Sequence, residues 1–192
     1  MPEHVHIGAD DVNAEFYGAR WHHSNGFDFV WGGAISDIRI YELALLPAQV
    51  LCLQEQQLGR APTFSHIGGM SDATVDDLLV FSDAPPLPGH SFTLMATIQM
   101  SDSASTRPWS RECLGEIMGW SNKPETVGRE WKAREFRVSR DGYLCYGQIV
   151  RGDWRCVTDD KVRLNDGRLH CVAVTKSSAE IALYVDGVLA KQ

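Results

Sequence analysis

The chain lacks any apolar run near the roughly 20 residues that a membrane-spanning helix needs. The sequence therefore predicts no membrane insertion. It also lacks a basic excess, because 18 Lys and Arg stand against 25 Asp and Glu, for a formal net charge of −7. Nucleic-acid binding needs a clustered basic face, so this balance argues against nucleic acid as a partner.

The cysteines show no spacing that indicates disulfide or metal pairs. There are five cysteines, an odd number, and no Cys-x-x-Cys pair joins Cys52, Cys113, Cys145, Cys156 and Cys171. The N-terminus is polar and does not resemble a signal peptide. These features favour reduced thiols in a cytoplasmic or otherwise intracellular protein over a disulfide framework.

Catalytic motifs are also missing. A glycoside hydrolase needs two carboxylates about 5–10 Å apart that face one sugar, yet no Glu-x-Asp-x-Glu run occurs. There is no Gly-x-Ser-x-Gly elbow, phosphate-binding loop or dinucleotide fingerprint either. His22 and His23 lack nearby Cys or His partners for zinc. The sequence therefore predicts a protein that is not an enzyme.

Alternating apolar residues are what the chain does contain. Residues 92–100, 169–175 and 181–185 alternate with period two, which indicates strands with two unlike faces. Asp-Gly pairs at 141–142, 166–167 and 186–187 are typical of tight turns. With one short helix expected after Pro47, the pattern predicts an all-β sandwich.

The residue sequence of these strands resembles a known family. The run Asp-Gly-Arg-Leu-His-Cys-Val-Ala-Val-Thr at 166–175, the Leu-Tyr-Val-Asp-Gly at 183–187 and the Ile35–Tyr41 segment resemble laminin-G-like domains. Residues 90–98 are similar to the lectin-like domain of trypanosomal sialidases. The resemblance implies a concanavalin A-like jelly-roll β-sandwich of two antiparallel sheets that acts as a binding module.

The order of the matching segments is rotated. Residues 4–58 resemble the C-terminal part of the family domain, and residues 74–192 resemble its N-terminal part. We interpret residues 1–192 as a single, circularly permuted domain, since neighbouring termini tolerate permutation. Two alternatives are the end of one repeat followed by the start of the next, and two halves that complete each other by swapping between chains.

Two polar loops are the predicted binding regions. The loop at 9–31 contains Trp21, His22, His23 and Asn25, and the loop at 101–111 contains Trp109. Indole rings stack on the apolar faces of pyranose sugars, and loops on a rigid sandwich often carry recognition. For any single tryptophan, packing in the core or at the rim is the competing interpretation.

The same long loop is the candidate metal site. Asp10, Asp11 and Asn13 supply the oxygen ligands that calcium prefers, and Asp37 and Asp77 are weaker candidates. Turn formation is the alternative role for such residues. No other cofactor is expected.

The predicted function is a non-catalytic binding module of the lectin or laminin-G type, with carbohydrate recognised by rim loops. The alternative is an intracellular protein–protein interaction or structural module of a larger assembly. The expected partner is therefore a glycan or another protein.

Overall fold

The computed structural model describes residues 4–7, 33–54, 64–66, 70–71, 79–81, 91–100, 113–122, 132–150 and 153–192. The elements in these ranges, in chain order, are β1 (His4–Ile7), β2 (Gly33–Tyr41), α1 (Pro47–Gln54), β3 (Phe64–His66), β4 (Met70–Ser71), β5 (Leu79–Phe81), β6 (Phe92–Met100), β7 (Cys113–Asn122), β8 (Lys132–Ser139), β9 (Tyr143–Val150), β10 (Asp153–Arg163), β11 (Leu169–Lys176), β12 (Ile181–Val185) and β13 (Val188–Lys191).

The strands form two antiparallel sheets. The six-stranded sheet has the order β10-β9-β8-β7-β1-β5. The seven-stranded sheet has the order β13-β12-β11-β6-β2-β3, and β4 also pairs with β2. The predicted all-β class with two antiparallel sheets is confirmed, and the described ranges contain one short helix.

Two of the predicted Asp-Gly turns connect adjacent strands. Gly142 has φ 86°, and its N–H donates to the Ser139 carbonyl oxygen at 2.9 Å. Asp186 and Gly187 have φ values of 50° and 75°, so both adopt the left-handed conformation that a two-residue hairpin with a primed turn requires. Glycine and aspartate tolerate this conformation better than most residues.

The main core lies between the two sheets. One ring contact joins them: Phe92 of β6 and Tyr146 of β9 have centroids 5.9 Å apart. Strand β2 contributes Ile35, Ile38 and Ile40 to this core. The other members of this core include Leu94, Ile98, Phe136, Val138, Leu144, Val172, Val174, Leu183 and Val185. The core therefore combines side chains from the N-terminal segment that contains β2 with side chains from residues 92–185.

A second apolar cluster covers the outer face of the seven-stranded sheet. Tyr41, Met95 and Tyr184 point away from the main core and pack with Leu45 and Val50, which lie in and just before α1. A hydrogen bond to a side chain fixes this segment: the Leu45 N–H donates to Thr93 Oγ1 at 2.9 Å. The residues before α1 and its first turn are thus held against β6.

The helix begins where the sequence predicts. Pro47 occupies its first position, where a missing N–H costs nothing. The Leu46 N–H donates to the Gln49 side-chain oxygen at 2.9 Å, as in one half of a capping box. Residues 55–63, which follow the helix, lie outside the described residues.

His170 joins two of the Asp-Gly turns. Its Nδ1 lies 2.9 Å from Asp186 Oδ2, and its Nε2 lies 3.0 Å from Asp166 Oδ1. The residue is 7% exposed. Burial lowers the pKa of the imidazole, but the hydrogen bonds and charges of the two carboxylates outweigh burial, so the pKa of His170 is raised. His170 is therefore a structural cross-link at one end of the seven-stranded sheet.

Truncation of a head-segment core residue tests the shared core. We expect Ile40→Ala to lower the free energy of unfolding by about 2–5 kcal/mol, because a fully buried side chain is lost and a cavity remains. Leu46→Ala is the control, since Leu46 is 65% exposed and should change the free energy by no more than about 0.5 kcal/mol. Urea unfolding followed by circular dichroism measures both, and equal effects would contradict the shared core.

The raised pKa of His170 predicts a pH-dependent stability. Its contribution is complete below about pH 6.5, the ordinary pKa of histidine in an unfolded chain, and is lost as pH rises through the higher folded pKa. We expect His170→Gln to cost on the order of 2 kcal/mol at pH 5.5 and less at pH 8.5. Urea unfolding of both proteins at the two pH values measures this difference. A cost that grows with pH would refute the cross-link.

Candidate functional site

The candidate site lies on the outer face of the six-stranded sheet. Phe136 of β8 and Tyr146 of β9 point into the core, so the residues that alternate with them point to the opposite face. Strand β10 adds a third row of side chains beside them. We call the resulting set the outer-face cluster: Glu135, Arg137, Cys145, Gly147, Trp154, Cys156 and Thr158.

Strand register brings these residues together. β8 pairs with β9, and β9 pairs with β10, both antiparallel. The pairing forms two adjacent rows across the three strands, Arg137-Cys145-Thr158 and Glu135-Gly147-Cys156. Residues 8 to 13 positions apart in sequence thus become direct or diagonal neighbours on one face.

A buried ion pair anchors the cluster. Arg137 Nη1 donates to Glu135 Oε2 at 2.8 Å, and the two side chains are only 9% and 12% exposed. A charge pair this far from water needs each partner, because the remaining charge would lose its compensation. The pair therefore holds the guanidinium in a fixed position next to the thiols and the indole.

Trp154 lies across the same face. Its ring covers the backbone at Gly147, where any β-carbon would collide with the indole. The guanidinium carbon of Arg137 lies 5.4 Å from the ring centroid, a cation–π distance. The residue remains 39% exposed. The missing side chain at Gly147 is what leaves space for the Trp154 ring at this position.

Two thiols meet beside this ring. Cys145 Sγ and Cys156 Sγ are 2.7 Å apart, and Cys156 Sγ is 3.1 Å from Thr158 Oγ1. The hydrogen bond from Cys145 lowers the pKa of Cys156 to about 6 despite opposing burial, with further help from Thr158 and Arg137. The same hydrogen bond, together with burial, raises the pKa of Cys145. The two pKa shifts have opposite signs, so Cys156 is the more acidic of the two thiols.

Two other charged groups are structural. Both ring nitrogens of His170 are occupied by carboxylates. Asp37, a weaker calcium candidate, receives two hydrogen bonds from Arg39 at 2.8 and 2.7 Å. It has φ 51° where the pairing of β2 with β6 shifts register, which indicates a β-bulge. Within the described ranges, no group of three or more His, Cys, Asp or Glu side chains is placed to hold a metal ion.

Apart from Asp37, the residues predicted from sequence as sugar or calcium contacts are not among those that the structure describes. The predicted sugar-binding residues Trp21, His22, His23, Asn25 and Trp109 lie outside the described residues, as do the predicted calcium ligands Asp10, Asp11 and Asn13 and the weaker candidate Asp77. They stay predictions. Sequence reasoning missed the outer-face cluster, whose only sequence signal is polar residues alternating with Phe136 and Val138.

Comparisons with protein-family models, with curated proteins and with solved structures find no match to this chain. The function is therefore argued from the geometry of the outer-face cluster. In the part of the chain that the structure describes, no helix is long and apolar enough to cross a membrane.

Loss of one buried charge tests the anchoring role of the ion pair. We expect Glu135→Gln to lower the free energy of unfolding by about 3 kcal/mol, because Arg137 stays buried without its carboxylate. The matched control is Asp153→Asn, which removes the same contact from the Arg155–Asp153 pair, whose side chains are 70% and 72% exposed. That change should cost less than about 1 kcal/mol. Chemical denaturation compares the two, and similar costs would argue against a buried anchor.

Proposed function

We propose that this chain is a non-catalytic binding module of the lectin or laminin-G type, built as a concanavalin A-like jelly roll, and that it recognises carbohydrate. The described strands form two antiparallel sheets around one core, which supports the proposal. The expectation of this family comes from the residues at 166–187 and Ile35–Tyr41.

Trp154 is the observation that carries the proposal. An indole that lies over the glycine of a neighbouring strand and is 39% exposed offers apolar surface on which a pyranose ring stacks. The buried Arg137–Glu135 pair holds the guanidinium against the ring and so helps to fix the indole in place. A fixed aromatic surface loses little entropy when a sugar binds.

The loop residues extend this proposal. Trp21, His22, His23, Asn25 and Trp109 are proposed as sugar contacts at the rim of the sandwich, and Asp10, Asp11 and Asn13 as calcium ligands. Calcium would order an oxygen-rich loop of this kind and so support recognition there.

Protein–protein interaction is the second candidate function. Leu169 begins β11, Val188 begins β13, and the antiparallel order places both at one end of the seven-stranded sheet. Leu169 is 64% exposed, Val188 is 68% exposed, and the neighbouring Leu189 is 40% exposed. Exposed apolar side chains at one end of a sheet are available for contact with another protein.

Removal of the indole tests the carbohydrate proposal. We expect the protein to bind members of a glycan array, and Trp154→Ala to weaken binding of the best member at least about 10-fold, equivalent to about 1.4 kcal/mol, in isothermal titration calorimetry. Val188→Asp is the control variant on the other sheet and should leave sugar affinity unchanged. Circular dichroism confirms that both variants fold.

Calcium forms the second arm of this experiment. The array is probed with calcium and again with a chelator, and loss of binding in the chelator supports the site at Asp10, Asp11 and Asn13. A further outcome is sugar binding that persists in the chelator and in Trp154→Ala but is lost in Trp21→Ala. That result would assign sugar recognition to the rim loop alone. A blank array under both conditions rejects the carbohydrate proposal and leaves the apolar end at Leu169 and Val188 as the better-supported surface.

A further inference from the structure

Two cysteines on neighbouring strands are placed for chemistry that sugar binding does not use. Cys145 lies on β9 and Cys156 on β10, at diagonal positions of the register, and both point to the outer face. Their sulfur atoms are 2.7 Å apart. A disulfide bond is about 2.05 Å long, so the two sulfurs are within about 1 Å of bonding distance.

The surroundings of the two thiols differ. Cys156 is exposed, whereas Cys145 is 1% exposed. The Cys156 sulfur also contacts the Thr158 hydroxyl at 3.1 Å and faces the guanidinium of Arg137. Thiolates form at exposed positions near hydrogen-bond donors and positive charge, and these are the positions at which cysteine is oxidised.

We infer that Cys145 and Cys156 form a redox-modification site, at which a hydroperoxide oxidises Cys156 and Cys145 then closes an intrachain disulfide. Cys156 is the nucleophilic thiol, because it is exposed and its sulfur contacts the Thr158 hydroxyl. Cys145 is the resolving thiol, because it is buried directly behind Cys156 and keeps its proton until the second step.

The chemistry balances in two steps. In the first, the Cys156 thiolate attacks one peroxide oxygen, an S–O bond forms, the O–O bond breaks, and the leaving oxygen takes a proton to become an alcohol or water. The sulfur is oxidised by two electrons and the hydroperoxide is reduced. In the second, Cys145 sulfur attacks the sulfenic sulfur, the S–S bond forms, and hydroxide leaves with the thiol proton as water.

The third described thiol serves as an internal control. Cys171 lies on the other sheet, half-buried, and burial raises its pKa to about 11. At pH 7 its thiolate fraction is about four orders of magnitude below that of Cys156, and its greater intrinsic nucleophilicity recovers about two of them. We therefore expect Cys156 to react with iodoacetamide at least about 50-fold faster than Cys171.

Peptide mapping of the full chain tests the disulfide directly. Trypsin cleaves after Arg140, Arg151, Arg155 and Lys161, so Cys145 and Cys156 fall in separate peptides, 141–151 and 156–161. After treatment with hydrogen peroxide, mass spectrometry should show these peptides joined, with reversal by a reductant. Absence of the joined pair, or an equal yield of pairs involving other cysteines, would overturn the inference.

Variants assign the two roles. Cys145→Ser should stop at a Cys156 sulfenic acid that dimedone traps, Cys156→Ser should give neither product, and Cys171→Ser should behave as the parent chain. Trapping of dimedone at Cys145 in Cys156→Ser at the same rate would contradict the assignment. Peptide mapping of the parent chain needs no variant, so its result holds even if a variant fails to fold. Its result also does not depend on whether the protein binds a sugar.

The pH profile of alkylation tests the surroundings of Cys156. The groups that face it are Glu135 and Arg137 from β8 and Cys145 from β9. We expect half-maximal alkylation of Cys156 near pH 6. Arg137→Gln should move the midpoint upward, and Arg137→Lys should restore it in part by returning the positive charge. A midpoint near 8.5, the usual value for a free cysteine, would refute a thiolate at this position.

Discussion

The core between the two sheets is the constraint on which the rest of the structure depends. Strand β2 lies inside the seven-stranded sheet, between β6 and the short strands β3 and β4. Its isoleucines pack with Leu94, Val172 and Leu183 from the tail of the chain. Without β2, strand β6 would become an edge with unpaired backbone groups, and the core would lose one wall.

This arrangement gives the two sheets different outer faces. The seven-stranded sheet is covered by a second apolar cluster that includes Leu45 and Val50. On the six-stranded sheet, the charged pair, Trp154 and the two cysteines replace apolar residues on the outward positions. Because every second residue of β8 and β9 is committed to the core, the intervening positions are available for polar and reactive groups.

The element types followed from local pattern, whereas the candidate site did not. Period-two alternation and Asp-Gly pairs predicted most of the described strands and two hairpins, because both are consequences of backbone geometry within a few residues. No sequence pattern indicates that Glu135, Cys145 and Trp154 lie close together, because their proximity depends on the register of three strands. The polar aromatic loop at 9–31 drew attention because it is continuous in sequence, and it lies outside the described residues.

By itself, the sequence determined the all-β class, the helix start at Pro47 and the Asp-Gly turns, because each depends on neighbouring residues alone. Only the tertiary structure decided that His170 bridges two turns and that Cys145 meets Cys156. The physical reason is that a shift of one residue in strand pairing turns every side chain to the other face. That register is fixed by packing across the whole core, which no local pattern contains.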